Sequence, residues 1–167
     1  MRIKLMLLML FSFSSLAHAE NETLCDKEED VYFSCKLENN DIVSICAKDN
    51  VDPQHGYVQY RIANKNGIYK KIPEEFKKPE GVISSKYYHE KIYNFISFFV
   101  IDSNVLINAY SGSYGEDKYL EGITIGTKQI TCKMPSESVY NFSGLEDANY
   151  NYSKFPLDKM IKSALKN

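Results

Sequence analysis

Residues 31–134 alternate between apolar and polar side chains with a period of two, and this alternation restricts what the chain can fold into. The stretch 31–37 reads VYFSCKL, so that positions 31, 33, 35 and 37 form one apolar face. The stretch 57–62 reads YVQYRI and places Val58, Tyr60 and Ile62 on one side. Such alternation is typical of β-strands with one face against a core, because successive strand side chains point to opposite faces.

The pattern predicts an all-β fold of about eight short, mainly antiparallel strands. The predicted strands are Val31–Leu37, Ile42–Ala47, Tyr57–Ala63, Ile68–Ile72, Ile92–Ile101, Val105–Tyr110, Leu120–Ile125 and Gln129–Met134. Polar turns separate them, and Asn66-Gly67 is a strong hairpin signal. The stretch Ile92–Ile101 is apolar on both faces, which indicates a central strand. Eight strands at this spacing favour a small barrel or a sandwich.

The C-terminal part of the chain breaks the period-two pattern. Residues 136–155 are rich in Ser, Asn and Tyr and are predicted to be irregular. Residues 156–166 then place apolar side chains at helical spacing, after a proline suited to the first helical position. The apolar positions are Leu157, Met160, Ile161, Ala164 and Leu165. We expect a short C-terminal amphipathic helix that packs on the sheet.

The first 19 residues have the parts of a secretory signal peptide. A basic start with Arg2 and Lys4 precedes an apolar run, and Ala17-His18-Ala19 is a cleavage signal. The apolar run is too short for a membrane span. We therefore expect a single exported domain at residues 20–167, periplasmic or secreted, with no membrane span after cleavage.

Charge narrows the kinds of partner that the exported domain can bind. Removal of residues 1–19 leaves 18 basic and 22 acidic side chains, a formal net charge of −4. Proteins that bind nucleic acid carry a basic face that neutralises phosphates. A mildly acidic domain with scattered lysines predicts no nucleic-acid partner.

Four cysteines, Cys25, Cys35, Cys46 and Cys132, follow the predicted signal peptide. An even number of cysteines in an exported domain predicts two disulfides, and gaps of 10, 11 and 86 residues are unlike a zinc site. Three pairings are open. If Asn40-Asp41 is a two-residue turn, Cys35 faces Cys46; if the turn is Asn39-Asn40, the two are diagonal and too far apart. We favour Cys35–Cys46 with Cys25–Cys132.

Few residues suggest catalysis. The histidines after the signal peptide are His55 and His89, and neither accompanies a nucleophile motif such as GxSxG. Adjacent carboxylates at Glu28-Glu29-Asp30, Glu74-Glu75 and Glu116-Asp117 lie in polar turns, where such groups are ordinarily solvated. We therefore predict no catalytic residue, no metal site and no cofactor. The alternative is a small hydrolase that uses His55 or His89 with a nearby acid.

The segment Ser111–Lys118, with the sequence SGSYGEDK, is predicted to be a flexible binding loop. Gly112 and Gly115 allow close approach of a partner's backbone, and Ser111 supplies a hydroxyl. Tyr114 offers an aromatic anchor, and Glu116 and Asp117 form a negative rim that suits a basic partner. The chain also holds 13 tyrosines, which supply broad and stiff contact area on a β surface.

Parts of this pattern resemble known families. Over roughly residues 25–134, the runs VYFSC at 31–35, VSIC at 43–46, GYVQYR at 56–61, ISF at 96–98, GITI at 122–125 and TC at 131–132 are similar to a family of small uncharacterised secreted proteins of proteobacteria. That resemblance implies export, disulfides and an all-β core. The segment Ser111–Lys118 also resembles the SGxxY loop with which periplasmic inhibitors of lysozyme, small exported β-barrels, enter the lysozyme cleft. Tyr114 stands one residue earlier than the motif's tyrosine, and Gly115 holds that position.

Together these features predict an exported, non-enzymatic binding protein of the bacterial envelope. Its most concrete form is an inhibitor or immunity-type protein that binds another protein, with a basic partner favoured by the acidic rim. A small periplasmic hydrolase and a structural or assembly subunit of the envelope are the alternatives.

Overall fold

A computed structural model describes residues 22–91, 93–115, 118–133 and 144–148. These residues form ten β-strands. The strands are β1 (Asp30–Lys36), β2 (Ile42–Lys48), β3 (Tyr57–Asn64), β4 (Gly67–Ile72), β5 (Ile83–Glu90), β6 (Tyr93–Asp102), β7 (Val105–Tyr114), β8 (Lys118–Ile125), β9 (Lys128–Thr131) and β10 (Glu146–Asp147). The same residues contain no helix that is long and apolar enough to cross a membrane.

The strands form two sheets that share one hydrophobic core. The first sheet has the order β1-β2-β3-β4, and the second has the order β10-β5-β6-β7-β8-β9. Ile45 and Tyr60 of the first sheet and Phe98 and Val100 of the second belong to the same buried cluster. The rings of Tyr32 and Phe98 stack between the sheets, with 6.3 Å between their centroids. The all-β prediction is therefore confirmed, but the sheets do not close into a barrel.

The predicted hairpins are confirmed, and so is the central position of the apolar strand. Two-residue turns join β3 to β4, β6 to β7, and β8 to β9. The positive φ angles of 56° at Ser103 and 59° at Gly126 fit such turns, and Gly67, the first residue of β4, has a positive φ of 107° directly after the β3–β4 turn. Strand β6 is third of six, and it buries Phe98 on one face and Phe99 on the other.

Two strands were missed, for different physical reasons. Strand β5 is polar on both faces (ISSKYYHE) and so lacks the alternation that marks the other strands. Strand β10 lies inside the segment 136–155 that was predicted to be irregular, and it pairs with β5 in parallel over two residues. An ion pair of 2.8 Å between Lys86 and Asp147 and the burial of Leu145 in the core hold this segment in place. The predicted helix at 156–166 lies outside the described residues.

The disulfides differ from the favoured pairing. Cys25 bonds Cys46, with a Cα–Cα distance of 5.2 Å, and Cys35 bonds Cys132 at 5.7 Å. Strand β1 meets β2 through a five-residue connection, not a two-residue turn, so Cys35 lies opposite Val43. Cys46 lies three residues further along β2, about 10 Å away at strand spacing, which excludes the Cys35–Cys46 bond. Two disulfides are typical of an oxidising environment outside the cytoplasm.

An N-terminal arm at residues 22–29 covers the outer face of the first sheet. The Cys25–Cys46 disulfide fastens the arm to β2, and Ser44 accepts a hydrogen bond from the Leu24 amide at 2.9 Å. The Arg61 side chain is 3% exposed and the Glu29 side chain is 1% exposed. The two form a bidentate ion pair with N–O distances of 2.6 and 2.7 Å. Both faces of β3 are therefore buried, although its sequence predicted one buried face.

Glu29 corrects the expectation that the carboxylates at 28–30 are solvated. Burial alone would raise the pKa of Glu29, but hydrogen bonds from Arg61, Tyr57 and the Asp26 amide outweigh burial and hold that pKa below its ordinary value of 4.5. Burial and the neighbouring Glu29 carboxylate raise the pKa of Tyr57 to about 12, so Tyr57 stays a hydrogen-bond donor at neutral pH. The neighbouring Glu28 is exposed and pairs with Lys48 at 2.7 Å.

We predict that Glu29→Ala lowers the free energy of unfolding by about 3–5 kcal/mol at pH 7, because it leaves the Arg61 charge buried without its partner. The matched variant Glu28→Ala, one residue away but exposed, should have a much smaller effect, because its ion pair with Lys48 is screened by solvent. Denaturant titration measures both values. Equal effects of the two variants would contradict a stabilising role for the buried pair.

The same pair predicts how stability depends on pH. Because the pKa of Glu29 is lower in the folded state, its contribution is complete above the ordinary value of 4.5 and is lost as the pH falls through the folded-state pKa. Unfolding free energies measured from pH 7 to pH 3 should therefore fall less steeply for Glu29→Ala than for the wild-type protein. Parallel profiles would contradict this assignment.

The two disulfides should contribute unequally to stability. Cys35–Cys132 closes a sequence separation of 97 residues and Cys25–Cys46 one of 21. The chain-entropy model then gives about 4.7 and about 3.3 kcal/mol, respectively. Replacing Cys35 and Cys132 by alanine should lower the free energy of unfolding more than replacing Cys25 and Cys46. Denaturant titration checks the order, and peptide mapping without reduction checks the pairing.

Candidate functional site

The segment Ser111–Lys118 is not a flexible loop as predicted. Strand β7 continues to Tyr114 and β8 begins at Lys118, which leaves a connection of three residues. Ser111 is buried and Tyr114 is half-buried. Because strand side chains alternate, Ser111 and Ser113 point to one face of the sheet, and Gly112 and Tyr114 to the other. Ser111 and Tyr114 therefore lie on opposite faces of the sheet, and Glu116 and Asp117 lie outside the described residues.

Gly112 allows two strands of the six-stranded sheet to approach each other closely. It lies opposite Phe95 in the β6–β7 ladder. A Cβ atom at this position would stand 2.1 Å from the Asn94 carbonyl oxygen and 2.7 Å from the Phe95 Cα atom. Both are backbone atoms, which cannot move aside. The glycine is therefore explained by strand packing.

The inner face of the six-stranded sheet passes from apolar to polar along its strands. Residues directly opposite each other in antiparallel strands lie on the same face. One cross-strand row is wholly buried and consists of Ser85, Phe98, Ala109 and Ile123. The next row consists of Tyr87, Ile96, Ser111 and Glu121, and of these only Tyr87 is exposed. The last row consists of His89, Asn94, Ser113 and Tyr119, and it is mostly exposed.

The last row and Tyr87 form an aromatic–polar patch, defined here as Tyr87, His89, Asn94, Ser113 and Tyr119. Tyr87 is 52% exposed and Tyr119 is 42% exposed. The Tyr87 ring stacks on the His89 imidazole, with 6.2 Å between centroids and 15° between planes. The patch lies just beyond the end of the shared core, since Ile96 in the adjoining row is 2% exposed.

Hydrogen bonds order the side chains of the patch. Asn94 accepts through Oδ1 from the Tyr87 hydroxyl at 3.4 Å and contacts His89 Nδ1 through the same atom. On the neighbouring strands the Ser111 and Tyr119 hydroxyls lie 2.5 Å apart. The patch thus offers two exposed phenol rings, an imidazole and an amide on rigid strands. Such a surface can pack against a partner's apolar atoms and exchange hydrogen bonds with it.

His55 and His89 have different hydrogen-bond partners: His89 contacts Asn94 in the patch, and His55 contacts a carboxylate. His55 Nδ1 lies 2.8 Å from both carboxylate oxygens of Asp52, on an exposed loop. This hydrogen bond lowers the pKa of Asp52. An aspartate beside an imidazole is the orienting half of a catalytic triad. Among the described residues, no serine or threonine hydroxyl is hydrogen-bonded to either imidazole.

The described residues hold one cluster of atoms with metal-ligand spacing, at Cys25, Glu29 and Cys46. The two sulfur atoms are bonded to each other, and the Glu29 carboxylate is paired with Arg61. Metal ions bind cysteine as the thiolate. This cluster therefore fastens the N-terminal arm and does not offer ligands.

Comparison of the chain with known proteins finds no family model, no curated protein and no solved structure that matches it. The resemblances to secreted proteobacterial proteins and to lysozyme inhibitors stay predictions. The function of the protein is therefore inferred below from the geometry of this chain.

Sequence reasoning missed the aromatic–polar patch because its residues come from four different strands. His89 and Tyr87 lie on β5, the strand whose sequence does not alternate. Only the register between β5, β6, β7 and β8 brings them beside Asn94 and Tyr119. The one signal in the sequence was the abundance of tyrosine, which pointed to a binding face but not to its position.

We predict that Gly112→Ala lowers the free energy of unfolding by about 1–3 kcal/mol, because the added methyl group overpacks two backbone atoms. The adjacent variant Ser113→Ala, on the opposite face beyond the end of the core, should cost less than about 0.5 kcal/mol. Thermal or denaturant unfolding measures both. Normal stability of Gly112→Ala would contradict the role of Gly112 in strand packing.

Proposed function

We propose that this protein is an exported, non-catalytic binding protein of the bacterial envelope, and that it binds a partner protein through the aromatic–polar patch. The observation that carries the proposal is the exposure of Tyr87 and Tyr119 on rigid strands, directly beyond the core. Exposed tyrosines held in place lose little conformational entropy when a partner covers them, and tyrosine is enriched among residues that dominate binding energy.

The two disulfides support the export part of this proposal. Both bonds are formed and the described residues include no free cysteine. Disulfides persist in oxidising compartments such as the periplasm and are rare in the cytosol. The predicted signal peptide at residues 1–19 gives the same location.

The patch favours a protein partner of the inhibitor or immunity type. Its polar groups are arranged across four strands as one row, which gives a broad contact surface in place of a deep pocket. A lysozyme or a similar basic cell-wall hydrolase fits the net charge of −4 of the exported domain, because opposite charges speed the encounter of two proteins. The β7–β8 connection, with Glu116 and Asp117, adjoins the patch in the sequence.

We predict that Tyr119→Ala weakens binding to a basic lysozyme by about 2 kcal/mol, or about 30-fold in Kd, as truncation of a buried interface anchor does. Calorimetric titration of the oxidised protein measures the change. The matched control is Tyr69→Ala, since Tyr69 is a similarly exposed tyrosine (55%) on the other sheet and should bind like the wild-type protein.

Three results would contradict this function. Absence of lysozyme binding by the wild-type protein would exclude the hydrolase-inhibitor form. Equal weakening by Tyr119→Ala and Tyr69→Ala would exclude the patch as the contact surface. Hydrolysis of a cell-wall substrate that His55→Ala abolishes would favour an enzyme that uses the Asp52–His55 pair.

A further inference from the structure

The edge of β4 differs from the other sheet edges in the described part of the chain. Strand β1 connects to the second sheet through the Leu37–Cys132 bridge and a hydrogen bond of 2.8 Å from the Lys133 amide to the Lys36 carbonyl. Because Cys132 and Lys133 directly follow β9, the same contacts also pair the chain at the end of that strand. Strand β5 is covered in part by β10. No described strand pairs with the outer side of β4.

Strand β4 is also exposed along its length. Positions 67–71 are all exposed, and they include Ile68 at 44% and Tyr69 at 55%. Ile101 and Val105, at the nearby turn of the second sheet, are exposed to a similar extent. A sheet edge with unpaired backbone groups and exposed apolar side chains is a template for an added strand.

A cavity of about 520 Å³ runs beside this edge, at the side where the two sheets separate. Ile68–Ile72 forms one wall, and Val82, Ile101 and Asp102 contribute to the other. Lys70 forms an ion pair with Asp102 across the gap. A strand added to β4 would find here a recess for the side chains on one of its faces.

A buried hydroxyl lies on β3, opposite the cavity-lining residue Ile72 of β4. Tyr60 is 1% exposed, and its hydroxyl has no hydrogen-bond partner among the described residues. Burial raises the pKa of Tyr60, and Tyr69 and Asp102, which line the cavity, raise it further. A buried donor without a partner is costly.

The positive charge of the β4 edge indicates which kind of strand can be added to it. The segment 65–72 (KNGIYKKI) contains three lysines and no acidic residue. Lys70 is paired with Asp102, whereas Lys65 and Lys71 have no ion-pair partner among the described residues. Two β4 strands paired with each other would bring six lysines together at one edge with no acidic residue in either segment, which is unfavourable. The same lysines attract carboxylates.

We propose that the β4 edge and its cavity bind an extended, acidic segment of a partner protein by strand addition. This surface is separate from the aromatic–polar patch and lies on the other sheet. The partner's backbone pairs with β4, its alternate side chains enter the cavity, and its carboxylates meet Lys65 and Lys71. The two proposals can therefore fail independently.

The test uses the oxidised full chain and a ten-residue peptide of alternating valine and aspartate. We expect this peptide to bind at least about tenfold more tightly than the same peptide with lysine in place of aspartate. Replacing alternate valines by proline should abolish binding, because proline cannot donate a backbone hydrogen bond. Bound peptide should slow amide hydrogen exchange within residues 67–72, which simple electrostatic adhesion does not do.

Charge reversal locates the site. Lys71→Glu should weaken binding of the acidic peptide about fivefold, whereas Lys128→Glu, an equal charge change at the exposed β8–β9 turn, should leave it unchanged. Absence of peptide binding, binding without protection at 67–72, or equal loss in the two variants would overturn the proposal. Sedimentation of the wild-type protein as a dimer that Lys71→Glu alters would identify a second copy as the occupant and would also overturn it.

Discussion

The Cys35–Cys132 disulfide is the constraint on which the arrangement of the two sheets depends. It links β1 of the first sheet to the residue that follows β9 of the second, 97 residues later in the chain. Backbone bonds beside it, from Glu38 to Thr131 and from Lys133 to Lys36, make the two sheets nearly continuous on that side. Two sheets joined along one side can separate on the other, and there the cavity beside β4 lies. The bond and the accessible β4 edge thus lie at opposite edges of the first sheet.

A buried ion pair holds the N-terminal arm over the outer face of the first sheet. The Arg61–Glu29 pair is expensive to bury unless its hydrogen bonds are made. Here they are: Arg61 also donates to the Leu24 carbonyl at 2.8 Å and to Gln59 at 2.8 Å, and Glu29 accepts from Tyr57 at 2.6 Å. Tyr57 in turn stacks on Phe76, so the loop after β4 joins the same cover. This face is therefore closed. The aromatic–polar patch and the β4 edge, by contrast, keep exposed tyrosines at the surface.

Local signals predicted most of the fold, and long-range pairing decided the rest. The alternation in VYFSCKL and the turn residues at Asn66-Gly67 act over a few positions, so eight strands and three hairpins could be predicted from them. Disulfide pairing depends on register, and one longer connection between β1 and β2 moved Cys46 away from Cys35. Glu29 looked solvated because nothing near it in the sequence shows that Arg61 lies 32 residues later on a covered face. The aromatic–polar patch could not be predicted for the same reason, since its residues meet only through cross-strand register.

Strand length explains why a binding surface exists at the end of the second sheet. Strands β6 and β7 have ten residues each, whereas the strands of the first sheet have six to eight. The extra rows of the longer strands therefore extend past the core, with no opposing sheet over His89, Asn94 and Tyr119. Their backbones remain paired in an unbroken ladder, so the side chains stand on a rigid base. A partner that covers them pays little to order the surface, and this preorganisation is what converts exposed tyrosine area into affinity.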